Sequence, residues 1–256
     1  MTNRSSTMSP DVSAEYSIRQ PSLAGTTALI TGASRGIGFA IAQHLGKRGV
    51  RIAMCGRHRD ALDSACAQLR EQSIDVLALT ADVSRSADVS SLAEKALEHF
   101  GFVDFLINNA GTSRFVPVQE CTEADWDTVL DTNLKGVFLI SRAFIPNMIA
   151  RGRGHIVNIS SLAGKNSFAG GSLYCASKWG LLGLTYCMAE DLRAHGIRVT
   201  AVCPGSVATD FGHPPSKKDP HKMLQPRDIA HAVEMIITAE PQSFISEVVM
   251  RPTQKP

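Results

Sequence analysis

The chain has 256 residues, 44% of them hydrophobic, and its 26 basic and 24 acidic side chains leave a net charge of +2. That composition fits one compact soluble domain with a sizeable core. The small, dispersed charge argues against nucleic acid or a membrane surface and leaves a small molecule as the expected partner.

Residues 1–25 are rich in Ser, Thr and Pro without apolar periodicity and read as a flexible tail ahead of a single domain over 26–256. From Thr26 onward short β-branched runs alternate with longer amphipathic stretches. The runs at 28–30, 51–55, 75–80, 103–107, 155–159, 199–202 and 247–250 predict seven strands. The stretches at 36–48, 60–72, 87–100, 123–151, 172–195 and 227–239 predict helices long enough to cover both faces of a sheet. The expected fold is therefore α/β, a doubly wound Rossmann fold with a parallel sheet, and such folds bind ligands at the carboxyl ends of their strands. The cysteines, Cys55, Cys66, Cys121, Cys175, Cys187 and Cys203, stand singly and lack the paired spacing of a zinc or dithiol site. No metal is expected, and a reduced cytoplasmic location fits. No apolar run approaches the ~20 residues of a membrane span, and the first residues lack a signal-peptide core.

Directly after the first strand comes Thr31-Gly32-Ala33-Ser34-Arg35-Gly36-Ile37-Gly38, followed by a helical run. Glycines there let the backbone approach a pyrophosphate, while helix N–H groups and the positive dipole end offset its charge. A tight turn without ligand would produce the same glycine cluster, and it is the placement after the first strand that favours a cofactor. At the end of the second strand, where a carboxylate would hold a ribose hydroxyl, the chain reads Cys55-Gly56-Arg57-His58-Arg59. Arg57 and Arg35 together can clamp a 2′-phosphate, which points to NADP, although each arginine alone also reads as a solvated loop edge.

The segment 155–161 ends a strand with Ser160 and Ser161, and Tyr174 and Lys178 stand four apart on one face of the next helix. An adjacent ammonium is expected to lower the tyrosine pKa and make the pair a general acid or base, though the same spacing also describes a surface pair. Asn133 sits among Trp126, Val129, Leu130, Val137 and Ile140, which places it on the inward face of its helix. It is either a core hydrogen-bonding residue or a kink that holds a water.

Taken in order, Thr31-Gly-x-x-x-Gly36-x-Gly38, Asn108-Asn109-Ala110-Gly111, Asn133, Ser161, Tyr174-x-x-x-Lys178 and Pro204-Gly205 resemble the short-chain dehydrogenase/reductase family from about residue 26 to 250. The resemblance implies a catalytic set in which Tyr174 is the acid/base, Lys178 its partner and ribose ligand, Ser161 the group orienting the substrate oxygen and Asn133 the holder of a relay water. Ser161 rather than Ser160 falls at the family's distance before the tyrosine. The resemblance further implies that Gly32, Ser34, Arg35, Gly36, Ile37, Gly38 and Arg57 bind the cofactor phosphates and that Asp82 and Val83 contact the adenine. Asn109, Ala110 and Gly111 would line the cleft, with Pro204, Gly205, Val207 and Thr209 over the nicotinamide. It also implies that the short polar stretch at about 210–225 closes over the substrate, and that the protein is a homotetramer or homodimer. The activity expected is NADPH-dependent reduction of a ketone or aldehyde, or oxidation of the matching alcohol. A 3-oxoacyl-carrier-protein reductase shares every one of these residues. A catalytically silent NADP-binding subunit would need only the glycine loop.

Overall fold

The structure is a computed structural model that describes residues 22–212 and 219–256. Most of the expected tail, residues 1–21, and residues 213–218 of the expected substrate loop lie outside the described residues.

Seven strands form one parallel sheet in the order β3-β2-β1-β4-β5-β6-β7. They are β1 Thr27–Thr31, β2 Arg51–Gly56, β3 Val76–Thr80, β4 Phe105–Asn108, β5 Gly154–Ile159, β6 Ile197–Pro204 and β7 Glu247–Met250. The helices between them are α1 Gly36–Lys47, α2 Arg59–Arg70, α3 Ser86–Phe100, α4 Glu123–Leu130, α5 Gly136–Arg151, α6 Ser172–Arg193 and α7 Pro226–Ile237. Successive strand residues point to opposite faces, so the apolar strand runs supply two cores at once. Ile30, Ile107 and Val157 pack with Ile41 and Leu45 of α1, Leu62 of α2 and Ile229, Val233 and Ile236 of α7. Their neighbours Leu29, Leu106 and Ile156 pack with Val89 and Leu92 of α3, Phe144 and Met148 of α5 and Met188 and Leu192 of α6. Leu23, within the stretch read as tail, is buried in the first of these cores.

The stretch expected as one helix over 123–151 is two helices joined by a π-turn at Asp131–Lys135. α4 starts at a capping box, in which Thr122 Oγ1 accepts from the Asp125 N–H and the Asp125 carboxylate accepts from the Thr122 N–H, each at 3.1 Å. Val129, Val137 and Ile140 are buried as expected, whereas Trp126, read with the same apolar face, is 49% exposed. α4 packs mainly against α6 and the π-turn rather than on the sheet, so its first turn reaches beyond the core. Among the cysteines, Cys187 is exposed and Cys121 intermediate, and the other four are buried; all six are free. Among the described residues no helix is long and apolar enough to cross a membrane, and no cluster of His, Cys, Asp and Glu could hold a metal ion.

Strand order reverses between β1 and β4: the chain runs outward to β2 and β3 on one side and to β5, β6 and β7 on the other. Loops leaving the carboxyl ends of β1 and β4 therefore diverge and leave a crevice between them.

One buried histidine ties β5 to β6. His155 Nε2 lies 2.8 Å from Thr200 Oγ1, and the Thr200 hydroxyl donates to the Ile245 carbonyl at 2.6 Å. The ring must therefore donate from Nε2, which leaves Nδ1 without a partner among the described residues. Burial, aided by the Arg198 charge, pushes the His155 pKa from 6.5 down to about 3. The unfolded chain takes up a proton here below about pH 6.5 and the folded chain does not. The contribution of His155 to stability is thus complete above about pH 6.5 and is lost progressively as pH falls toward 3. Urea midpoints are expected to fall between about pH 7 and about pH 4, and to fall less steeply in His155→Gln, which keeps a side-chain donor but does not titrate. An unchanged slope in the variant would assign the acid sensitivity to other groups.

Candidate active site

The crevice is bounded by two loops that hold each other in place. The Asn109 amide, just past β4, donates to the Thr31 and Gly32 carbonyls at 2.9 and 3.1 Å. Thr31 Oγ1 in turn accepts from the backbone N–H groups of Asn109 and Ala110, both at 3.0 Å. This close approach leaves no room for side chains. A Cβ on Gly32, whose φ is +63°, would lie 2.8 Å from Ala110 Cα, and one on Gly38 would lie 2.5 Å from the Gly32 carbonyl oxygen and 2.6 Å from Asn109 Nδ2. No side chain caps the start of α1, and its first turn carries no carboxylate.

The loops open into a cavity of about 1120 Å³ running along the carboxyl edge of the sheet. It brings together most of the residues expected at a cofactor site: Gly32, Ser34, Arg35, Gly36, Ile37, Arg57, Val83, Asn109, Ala110, Gly111, Pro204, Gly205, Val207 and Thr209 all line it. Gly38 and Asp82 do not line it. Gly38 is packed inside the loop, and the Asp82 carboxylate accepts from the Ser84 N–H and hydroxyl at 3.0 and 2.7 Å. Arg35 and Arg57 are both exposed. With His58, Lys178 and Arg251 they make the wall strongly basic, and among the described residues Asp210 is its one carboxylate. A basic wall around a loop closed to side chains fits a dinucleotide with several phosphate charges.

The acid/base groups line the same cavity. Ser161 caps the short 3₁₀ turn Leu162–Gly164 by accepting from the Ala163 N–H at 3.1 Å, and its side chain faces the Tyr174 phenol, which it draws toward a lower pKa. The neighbouring Ser160 hydroxyl is buried and turns to the Lys178 carbonyl at 3.4 Å. Of the two serines, Ser161 is the one that meets the tyrosine. Lys178 is 4% exposed, and its ammonium donates to the Ile159 carbonyl at 2.9 Å, with Nζ 5.8 Å from the centre of the Tyr174 ring. The expected lowering of the tyrosine pKa by this ammonium is not what the geometry gives. Burial dominates and pushes Tyr174 up to about 12 against the opposing Ser161 hydrogen bond. Burial also pulls Lys178 down to about 8.

Asn133 is fully buried and does not line the cavity. Its Oδ1 accepts from the Thr112 N–H at 2.8 Å, and its Nδ2 donates to the Thr112 carbonyl at 2.9 Å and to Ser177 Oγ at 3.0 Å. The side chain thus has its partners in the core, as the first reading expected, and the helix bends around it as a π-turn. Ser177 passes the link on by donating to the Tyr174 carbonyl at 2.8 Å.

Three phenylalanines absent from the sequence reading also line the cavity: Phe115, Phe168 and Phe211. They stand in three separate loops, where isolated aromatic residues carry no periodicity that a sequence could reveal. His58, Asn166 and Arg251 were missed for the same reason.

The short chain dehydrogenase family model matches residues 26–220. An uncharacterised oxidoreductase of Staphylococcus haemolyticus is 34% identical over 236 residues, spanning 90% of this chain and 98% of that protein. Among solved structures, a metagenomic short-chain oxidoreductase in complex with NADP superposes with a TM-score of 0.82 at 43% identity, over 92% of this chain and all of the other. An alcohol dehydrogenase from the archaeon Thermococcus sibiricus, complexed with 5-hydroxy-NADP, gives a TM-score of 0.84 at 31% identity, over 90% of this chain and 98% of the other. By family match, by identity along nearly its whole described length and by fold, the chain belongs to the short-chain dehydrogenase family of oxidoreductases.

Proposed function

We propose that this protein is an NADP(H)-dependent carbonyl reductase, able to run in reverse as an alcohol dehydrogenase. The observation that carries the reading is the Tyr174 phenol, faced by Ser161, in the same cavity as a glycine loop closed to side chains. The two solved relatives, bound to NADP and to 5-hydroxy-NADP, support the choice of cofactor.

Bound NADPH would supply the hydride. Gly32, Ser34, Gly36 and Ile37 would hold its pyrophosphate at the start of α1, and Arg35 and Arg57 would clamp the 2′-phosphate, since β2 ends without a carboxylate. Val83 would lie against the adenine, and Asn109 to Gly111 and Pro204 to Thr209 would form the two walls of the cleft. The protein's own part is to place and protonate the oxygen. Ser161 and Tyr174 converge on one point from β5 and α6, so both hydroxyls can bond a single carbonyl oxygen and fix which carbon is presented. A phenol held near pKa 12 stays protonated at neutral pH, so the acid needed for reduction is in place. Lys178 has two ammonium protons beyond the one on Ile159, available for a ribose hydroxyl and the phenolate left after protonation. Asn133 positions α6 through Ser177 and, with its π-turn, the backbone beside Thr112.

Self-association is also proposed. A shallow, mainly apolar groove where the end of α4, the π-turn and the start of α5 meet α6 is lined by Leu130, Asp131, Leu134, Lys135, Phe138, Gly180 and Leu184, with Phe138 43% and the neighbouring Trp179 55% exposed. A second copy of the chain would cover these side chains.

Three outcomes test these readings. Tyr174→Phe is expected to lower NADPH-linked carbonyl reduction at least ~1000-fold while NADPH binding, followed by nicotinamide fluorescence, stays within ~3-fold. In the parent, alcohol oxidation rises with pH because it needs the phenolate, and reduction does not. Turnover of Tyr174→Phe at the parent rate would remove the mechanism. Arg57→Ala is expected to weaken NADPH binding by about 10-fold or more and to leave NADH binding nearly unchanged, and equal parental affinity for the two would remove the arginine clamp. Light scattering is expected to show a dimer or tetramer that shifts toward monomer when Phe138 and Trp179 are both changed to Glu, and a monomeric parent would refute self-association.

A further inference from the structure

The substrate end of the cavity has a wall that the mechanism does not use. Phe115 from the β4–α4 loop meets Tyr174 edge-on, with ring centres 5.5 Å apart and planes at 85°. Phe211, beyond β6, meets the same tyrosine at 5.7 Å and 52°. Phe168, from the β5–α6 loop, lies 5.8 Å from Phe115 at 59°. All three line the cavity, yet Phe168 is 49% and Phe211 38% exposed, so large apolar faces stand in water on a concave wall.

The seating of Phe168 is specific. A Cβ on Gly171 would lie 2.6 Å from its ring, so the ring rests against a residue with no side chain. Next to it Gly170, at φ +76°, lies against the Val116 backbone, which brings the loop carrying Phe168 up to the loop carrying Phe115. Phe115 and Phe211, from loops far apart in sequence, thus both meet the Tyr174 ring, and Phe168 packs against Phe115.

We propose that the substrate is a carbonyl compound with an aryl group next to the reacting carbon, and that Phe115, Phe168 and Phe211 determine this preference. The proposal rests on the reductase reading above. Rings set at angles to one another leave both faces and edges for a flat guest, and aromatic pairs favour offset and edge-to-face contacts over a parallel stack. The phenylalanines bring no polar group into the chamber, so a guest pressed against them leaves Ser161 and Tyr174 to the carbonyl oxygen. In the reaction, a hydride from NADPH forms the new C–H bond, the C=O π pair becomes the O–H bond with the Tyr174 proton, and an aryl carbinol and NADP⁺ result. A proton taken up from solvent restores the phenol, so each turnover consumes one NADPH and one H⁺.

The test compares acetophenone with 2-butanone as substrates for the parent and for Phe168→Ala, Phe211→Ala and Phe168→Leu. The parent is expected to favour acetophenone in kcat/KM by ~100-fold or more, and each alanine variant to lower that ratio ~10-fold or more, with the leucine variant between them. A parent without aryl preference, or alanine variants that keep the parental ratio, would overturn the proposal. Calorimetric binding of both ketones to the NADP⁺-saturated protein, where no hydride is available, separates this proposal from the reductase reading because it needs no turnover. Tighter acetophenone binding that weakens in the alanine variants supports the aromatic chamber even if no carbonyl is reduced, a result that would sink only the reductase reading. Equal binding of the two ketones would overturn the chamber.

Discussion

The Lys178 ammonium donates to the Ile159 carbonyl from a position with almost no access to water, and much of the site is arranged around that contact. An isolated buried ammonium is costly, so the lysine must meet an oxygen, and the oxygen it meets belongs to the last residue of β5. The first turns of α6 are thereby fixed over the end of that strand. Ser160 repeats the tie from the strand side by bonding the Lys178 carbonyl. Ser161, one residue on, is left facing Tyr174 one turn earlier on the same helix. A second anchor comes from the π-turn, where Asn133 satisfies its whole amide on Thr112 and Ser177 and so sets the angle at which α6 approaches the β4 loop.

The same burial sets the chemistry. A tyrosine and a lysine side by side suggest a phenolate stabilised by charge, but here both groups are shifted toward their neutral forms, Tyr174 up and Lys178 down, because desolvation is the largest influence on each. The resting site therefore holds a phenol ready to donate a proton. Forming the phenolate requires added positive charge or a hydrogen-bond donor, and under the proposed mechanism an oxidised nicotinamide bound beside the ring would supply such a charge.

Much of the fold was legible in the sequence because a parallel sheet covered on both faces leaves strong marks: short β-branched runs and amphipathic stretches of regular length. All seven strands lie where the runs placed them, with ends shifted by one or two residues at most positions. The break between α4 and α5 was not legible as a boundary, since a π-turn inserts one residue without disturbing the apolar pattern on either side, and only an inward-facing Asn133 hinted at it. At the site, the glycine loop was legible from its cluster and its place after the first strand, although Gly38 is packed inside the loop and does not line the cavity. Asn109 was read as part of the cleft wall, but its bonds to Thr31 and Gly32 depend on strand order, which pattern does not encode. The direction of the Tyr174 shift and the convergence of Phe115, Phe168 and Phe211 depend on burial and loop course, and neither leaves a period in the sequence.

The central claim, that burial keeps Tyr174 protonated until a cofactor brings charge to it, is open to direct titration. The chain has three tyrosines, so the phenolate absorbance of the parent minus that of Tyr174→Phe isolates this one ring. The account predicts no Tyr174 phenolate below about pH 10 in the cofactor-free protein, and its appearance within that range once NADP⁺ is bound. A phenolate already present near neutral pH without cofactor, or a titration that NADP⁺ leaves unchanged, would contradict it.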